Sequence, residues 1–325
     1  MSTDTYAAAQ PLTLEPPETA ELGRIAAAVA GTEPRLVDHP DWLRAARRGA
    51  DAMPARLRQA LRQFRRDSGP GGALLLRGFP VEPAALPPTP AVAESVQRAA
   101  TGPAALLVMT ACVLGEPAAF RAEKTGALVQ DVVPVPGHEE FQGNAGSVRL
   151  SFHNENAFHP HRPDYVLLLC LRADHERTAG LRTAGIREML PRLDGAVVAA
   201  LRSPEFVTAP PPSFGAGGGG TEPHPVLSGP EEDPDMRVDL AATAPQTPRA
   251  EHALAELGRV FGEEGATVRL APGELAIVDN RVAAHGRTGF RPRYDGRDRW
   301  LQRTFAAADL RRSRAYRPGD GHVLT

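Results

Sequence analysis

The chain is almost without lysine. Its 325 residues include 37 basic ones, and Lys124 is the only lysine among them. With 39 acidic residues the formal net charge is −2, so no basic footprint for nucleic acid exists and that partner is excluded. Only two cysteines occur, Cys112 and Cys170, each inside an apolar run. That excludes a disulfide framework and makes both small core residues. No window approaches ~18 uninterrupted apolar residues, which argues against a membrane span and a membrane partner. The N-terminus, MSTDTYAAAQPLTLEPPE, lacks a basic region followed by an apolar one, so a signal peptide is not expected and a cytoplasmic location is. The lysine shortage, joined to abundant Ala, Gly and Pro, reads as GC-rich coding rather than function.

What is present falls into two halves. Residues 1–16 are polar and proline-bearing, a flexible arm; 17–325 read as one domain. From Glu18 to about Arg66 the apolar spacing is helical, with Asp41 expected to cap the helix that follows it. GALLLRGFPV (72–81) reads as a buried strand, and a long helix is expected near 91–115, interrupted at Gly102-Pro103. Residues 17–115 thus form a helical buttress with a first strand. From 116 onward short strands dominate, at 127–135, 147–153, 165–171, 266–271, 274–280 and 299–306. Residues 209–234 are rich in Pro and Gly without hydrophobic period, which suggests either disorder or a mobile lid loop. Helices followed by many short strands predict a β-sandwich or barrel with helical buttresses. The pattern leaves open whether the helical third packs on that barrel or on a second copy.

Chemistry concentrates in SVRLSFHNE. At period two, Val148, Leu150 and Phe152 share one face, and Arg149, Ser151, His153 and Glu155 the other. An extended His-x-Glu aims an imidazole and a carboxylate at one space, separated by about 6.6 Å of rise. These are two of the three ligands of the facial triad that holds non-haem Fe(II) and leaves positions open. The third should be a histidine from a distant strand end. His285, delivered by a loop after ELAIVDN, suits that role. Further on, Arg299, Leu301, Arg303 and Phe305 share one strand face. Two inward arginines are costly unless each meets an anion, as a dicarboxylate cosubstrate and a carboxylate-bearing substrate would provide. A competing His159-x-His161 metal pair is disfavoured by Pro160 and a loop context. Asp174-His175-Glu176, beside Arg172 and Arg177, reads as a solvated ion-pair cluster.

The segments LSFHNENAFH, RPDYVLLLCLRADHERTAG, LAIVDN…AAHGRT and RPRYDGRDRWLQR resemble the clavaminate synthase-like group of Fe(II)/2-oxoglutarate oxygenases, which includes amino-acid β-hydroxylases of antibiotic biosynthesis. The likeness runs from about Leu74 to Tyr316. It implies a mixed α/β, mainly β fold: a double-stranded β-helix (jelly-roll) core at 116–325 with a helical N-terminal elaboration. It implies Fe(II) held by His153, Glu155 and His285, with 2-oxoglutarate and O2 as cosubstrates. Arg299, fourteen residues after the last ligand, matches the partner of the 2-oxoglutarate C5 carboxylate. Arg303, eighteen after it, matches the clamp on the substrate α-carboxylate. Asn144 matches a contact to the substrate's α-amino group or side chain, Glu123 an acid that pairs the ammonium, and Asp239 an acidic contact beneath the lid.

Two positions depart from that pattern. A threonine that touches 2-oxoglutarate in the group is Leu181 here, with Thr183 two residues on as the substitute. Arg237 stands where arginine-using relatives carry a second acid, so it would favour a neutral or anionic substrate side chain, unless it points to solvent. The expected activity is hydroxylation of a free L-amino acid or close derivative at C3, releasing succinate and CO2. The same residues could serve a desaturase, a cyclase, an oxygenase of carrier-bound amino acids or, without catalysis, a jelly-roll binding module.

Overall fold

The structure, a computed structural model, describes residues 11–214, 220–317, 319 and 321–325. Two sheets form its centre. The larger has the strand order Leu12–Thr13, Ala73–Arg77, Leu275–Asp279, Tyr165–Arg172, Trp300–Ala307, Glu116–Phe120, Val323–Leu324, with Gln130–Val132 also paired to Trp300–Ala307. It is mixed: Leu12–Thr13 and Val323–Leu324 pair in parallel, the others antiparallel. The smaller sheet orders Ala266–Val268, Leu181–Gly185, Ala283–Arg287, Leu150–His153.

Strand alternation sorts the side chains into layers. Leu74, Leu76, Tyr165, Leu167, Leu169, Leu275 and Ile277 face the helices, packing with Leu22, Trp42, Leu57 and Leu61. Their neighbours Leu75, Val166, Leu168, Cys170, Ala276, Val278, Leu301 and Phe305 face the smaller sheet and pack with Leu181 and Ala283. The outer face of the smaller sheet, Phe152 and Ala184, is covered by the helix Pro248–Glu264 through Leu257 and Phe261. The molecule is therefore a β-sandwich between two helical layers, and the N-terminal helices pack on their own sheet.

Local chemistry explains where several elements start. The helix Gly102–Leu114 begins at the Gly-Pro pair expected to interrupt it: the Thr101 hydroxyl accepts from the Ala104 N–H, and Pro103 occupies the first turn, where its missing donor costs nothing. Nearly all of this helix is buried, because it lies between the other helices and Trp300–Ala307. Pro40–Ala52 is capped by His39 Nδ1, which accepts from the Asp41 N–H, rather than by Asp41 itself. The expected arm lies outside the described residues as far as residue 10; beyond it Leu12–Thr13 is paired and Leu14 buried, so that stretch is docked. Of the expected lid loop, 215–219 lie outside the described residues. Its flanks are tied down by a backbone pairing of Phe206 with His224 and of Leu227–Ser228 with Asp235–Met236.

Candidate active site

The two ligand-type histidines meet across the smaller sheet. His285 and His153 are direct cross-strand partners, with ring centroids 4.4 Å apart. Two expectations about how they get there need correcting. His285 sits inside the strand Ala283–Arg287, not on a loop. His153 ends its strand, so Glu155 is brought alongside by the turn that follows rather than by strand alternation. The register slips by one residue between His153 and Leu150, a bulge against His285–Arg287. Gly286 permits it: a Cβ there would lie 2.6 Å from the Leu150 carbonyl oxygen.

One ligand atom from each of His153, Glu155 and His285 lies within 4.8 Å of the others. The His153 Nδ1–H donates to the Ser151 carbonyl at 2.9 Å, which fixes the tautomer and leaves Nε2 as the free donor atom. His285 Nε2 stands 3.7 Å from Glu155 Oε2, while its buried Nδ1 has no partner. Burial, assisted by His153, pushes His285 below the usual imidazole range, so it is neutral as a ligand must be. Two imidazoles and a carboxylate on one inward face could hold Fe(II) and leave open positions.

A network invisible to the sequence reading holds the turn. The Asn280 side chain, fully buried, accepts from the Glu155 N–H at 2.7 Å and donates to the carbonyls of Glu155 (3.1 Å) and Pro163 (2.8 Å). The Asn154 side chain donates to the carbonyls of Asn280 and Ala283 and accepts from the Val238 N–H. Two amides thus join the Glu155 turn to strands of both sheets or the residues beside them. The only sequence signal was their position beside the candidate ligands, in His-Asn-Glu and Asp-Asn.

Arg303 is 3 % exposed and sits among acceptors. It donates to Glu155 Oε2 at 2.8 Å, to Glu123 and to Gln130, and the amide of Asn144 reaches it at 3.0 Å once its oxygen faces the guanidinium. Asn156 donates to the second oxygen of Glu123. Burial would raise the Glu155 carboxyl, but the Arg303 guanidinium, then the His285 contact, hold it well below the usual range. Burial dominates at Glu123 and raises it despite Arg303. Two buried carboxylates sharing one cation cannot both be fully compensated.

Arg299 is buried on the same inward face, four residues before Arg303 on the strand edge, and has no carboxylate partner among the described residues. Burial pulls its guanidinium below the ordinary arginine range. Thr183 pairs with His285 in register on the neighbouring strand and shares its face. Asp239 pairs with His153 on the other side, its Oδ1 accepting from the N–H groups of Ala241 and Ala242. Arg237 does not point free into solvent. Its Nε and Nη2 donate to the carbonyls of Ala157 (2.6 Å) and Phe158 (2.9 Å), so it braces the loop after Glu155.

The remaining polar clusters are structural. His159 is buried against Phe120, Phe158, Phe214 and Tyr316, its Nδ1 accepting from the His161 N–H, in agreement with the loop reading of this pair. Asp174 is no solvated ion pair: it is buried and accepts from the N–H groups of Thr178 and Ala179. His175 meets Asp295 and Asp298, whose oxygens already accept backbone N–H groups of Arg297 and Arg293.

No helix among the described residues is long and apolar enough to cross a membrane. The family described as taurine catabolism dioxygenase TauD, TfdA family, matches residues 233–305. An L-asparagine oxygenase of Streptomyces coelicolor is 64% identical over 287 residues, covering 88% of this chain and 86% of that protein. Clavaminate synthase 2 of Streptomyces clavuligerus is 33% identical over 266 residues, 80% of this chain and 81% of its own length. A crystal structure of asparagine oxygenase in complex with Fe(II), (2S,3S)-3-hydroxyasparagine and succinate has a TM-score of 0.95 at 60% identity, covering 97% of this chain and 99% of that one. The chain therefore belongs to the clavaminate synthase-like family of Fe(II)/2-oxoglutarate-dependent dioxygenases, enzymes that hydroxylate amino acids.

Proposed function

We propose that this dioxygenase hydroxylates free L-asparagine at C3, in a single jelly-roll domain over residues 17–325. The observation that carries an amino-acid site is the Arg303 cluster. A buried guanidinium, the Glu123 and Glu155 carboxylates and the Asn144 amide converge beside His153 and His285. The choice of asparagine rests on the 64% identity to an L-asparagine oxygenase.

In this reading His153, Glu155 and His285 would hold the metal. When bound, Fe(II) supplies the oxidising chemistry, inserting one oxygen atom of O2 into a C–H bond while 2-oxoglutarate loses CO2 and becomes succinate. The chain's own residues do the rest. Arg299 pairs with the C5 carboxylate of 2-oxoglutarate, with Thr183 lining the same face. Arg303 pairs with the substrate α-carboxylate in a charge-assisted contact. Glu123 takes the α-ammonium, whose positive charge offsets the burial that raises this carboxyl. Asn144 and Asp239 orient the remainder of the substrate, Asp239 with the oxygen its own turn leaves free. Arg237 belongs to the site only as a brace, through the 157–158 carbonyls. The described segments 209–214 and 220–234 shield the site from water in this reading; Phe214 supports this, since its ring lies 4.6 Å from that of Phe158, three residues beyond Glu155.

The test is succinate formation from 2-oxoglutarate with Fe(II) and ascorbate, across the twenty amino acids plus citrulline and ornithine. Coupling strongest with asparagine, with a product 16 mass units heavier (one oxygen atom), is expected. Turnover with none of them overturns the free-amino-acid reading.

A further inference from the structure

Arg287 lies two residues past His285 on the same strand and the same inward face. It is 4 % exposed, yet no carboxylate among the described residues pairs with it. Its guanidinium donates to the Val148 carbonyl at 3.0 Å and weakly to that of Gly143 at 3.4 Å, while Nε has no partner. Arg299 is likewise buried without an ion pair, the Asp174 carboxylate acting on it only through its field. Both guanidinium carbons approach one ring: 5.5 Å from the Phe290 centroid for Arg287, 5.7 Å for Arg299. Phe290 is itself pinned by its N–H to the Ser147 carbonyl. Two buried cations grouped on a phenyl ring without an ion-paired carboxylate are costly, and such an arrangement is kept where an anion enters.

We propose that Arg287 is a second cation of the cosubstrate pocket, a positioning residue that acts with Arg299 to select 2-oxo acids carrying a distal carboxylate. The proposal rests on the reading of Arg299 as the C5 anchor. Arg287 acts through its field and by holding Phe290 and the 143–148 loop, not by ligating the metal. Removing one charge this close in a buried pocket should weaken a dianion about tenfold or more. A 2-oxo acid lacking the distal carboxylate should be indifferent to it.

The experiment uses the full chain loaded anaerobically with Fe(II). Dissociation constants for 2-oxoglutarate and for 2-oxobutanoate are read from the visible band of the complex. Variants are Arg287→Gln, Arg287→Lys and Arg299→Gln. The expected result is a tenfold or greater loss for 2-oxoglutarate in Arg287→Gln, no change for 2-oxobutanoate, and recovery in Arg287→Lys. Equal weakening of both acids, or of neither, overturns the proposal while a loss in Arg299→Gln leaves the anchor reading standing. Unchanged 2-oxoglutarate binding in Arg299→Gln removes both. If Arg287→Gln does not fold, Arg287→Lys decides, because loss of the preference for the dianion with charge retained is equally fatal.

Discussion

Asn280→Ala is the sharpest probe of how this site is held. The wild-type side chain is fully buried and makes three hydrogen bonds, to the Glu155 N–H, the Glu155 carbonyl and the Pro163 carbonyl. Truncation strands all three partners in the interior. At about 1–3 kcal/mol for each unsatisfied buried group, and with water able to reach some of the space left, a loss of about 3–6 kcal/mol is expected. Asn280→Asp separates hydrogen bonding from volume. The aspartate keeps an acceptor for the Glu155 N–H but turns a second oxygen toward two carbonyls, so despite its near-identical shape it should cost at least as much as alanine. Stability is read from urea unfolding in the presence of a chelator, and site geometry from anaerobic Fe(II) titration. Both variants should bind Fe(II) at least tenfold more weakly, because the Glu155 turn has lost its fixings. A stability loss below about 1 kcal/mol with unchanged Fe(II) affinity would refute the reasoning.

Other perturbations test the site from different sides. Arg303→Met leaves Glu155 and Glu123 buried without their shared cation; about 3–5 kcal/mol of stability should be lost, and a urea midpoint equal to wild type would contradict the burial argument. Arg237→Asp removes two charge-assisted bonds to the 157–158 carbonyls, so about 2 kcal/mol of stability should go while the ranking of amino-acid substrates stays unchanged. A shift of that ranking toward arginine or lysine would instead make Arg237 a reader of the substrate. Burial lowers His159 from 6.5 to about 4, so the folded state refuses a proton that the unfolded chain accepts. Its contribution is fully present above about pH 6.5 and disappears as the pH falls toward 4, amounting to about 2 kcal/mol between pH 7.5 and 5. Urea unfolding of His159→Gln at the two pH values should have a correspondingly shallower pH dependence, and identical slopes would exclude His159 as the source.

Much of this was legible because the relevant signals were local. Tyr165–Arg172 and Leu275–Asp279 are apolar runs closed by one charged residue, Trp300–Ala307 is an alternating one, and the strands form where those patterns are. The alternation of Leu301 and Phe305 against Trp300 put the two arginines inward, and both are buried there. Strands lacking such a run went unread. Glu116–Phe120, Leu181–Gly185 and Ala283–Arg287 owe their conformation to the partner strands that complete them, with small or polar residues that carry no β preference of their own. The helix Pro248–Glu264 was likewise missed, although Thr247 followed by Pro248 marks its start.

What stayed hidden is the long-range pairing that makes residues into a site. The His-x-Glu spacing seemed to need a strand, yet any backbone that brings the two side chains together will serve, and here a turn does so because Asn280, 125 positions away, grips both backbone groups of Glu155. Arg237 shows the same limit from the other side. Substrate charge selection was inferred from the acid that arginine-using relatives carry at this position, while its guanidinium is held by two carbonyls some 80 residues earlier, which no local pattern announces. Charge type told that anions are needed inside this barrel; only the distances tell which cations are already satisfied. Arg303 is ion-paired with two carboxylates, whereas Arg287 and Arg299 are ion-paired with none among the described residues and Asp174 acts on Arg299 only through its field, so the end of the inward face beside Phe290 holds the stronger uncompensated positive field.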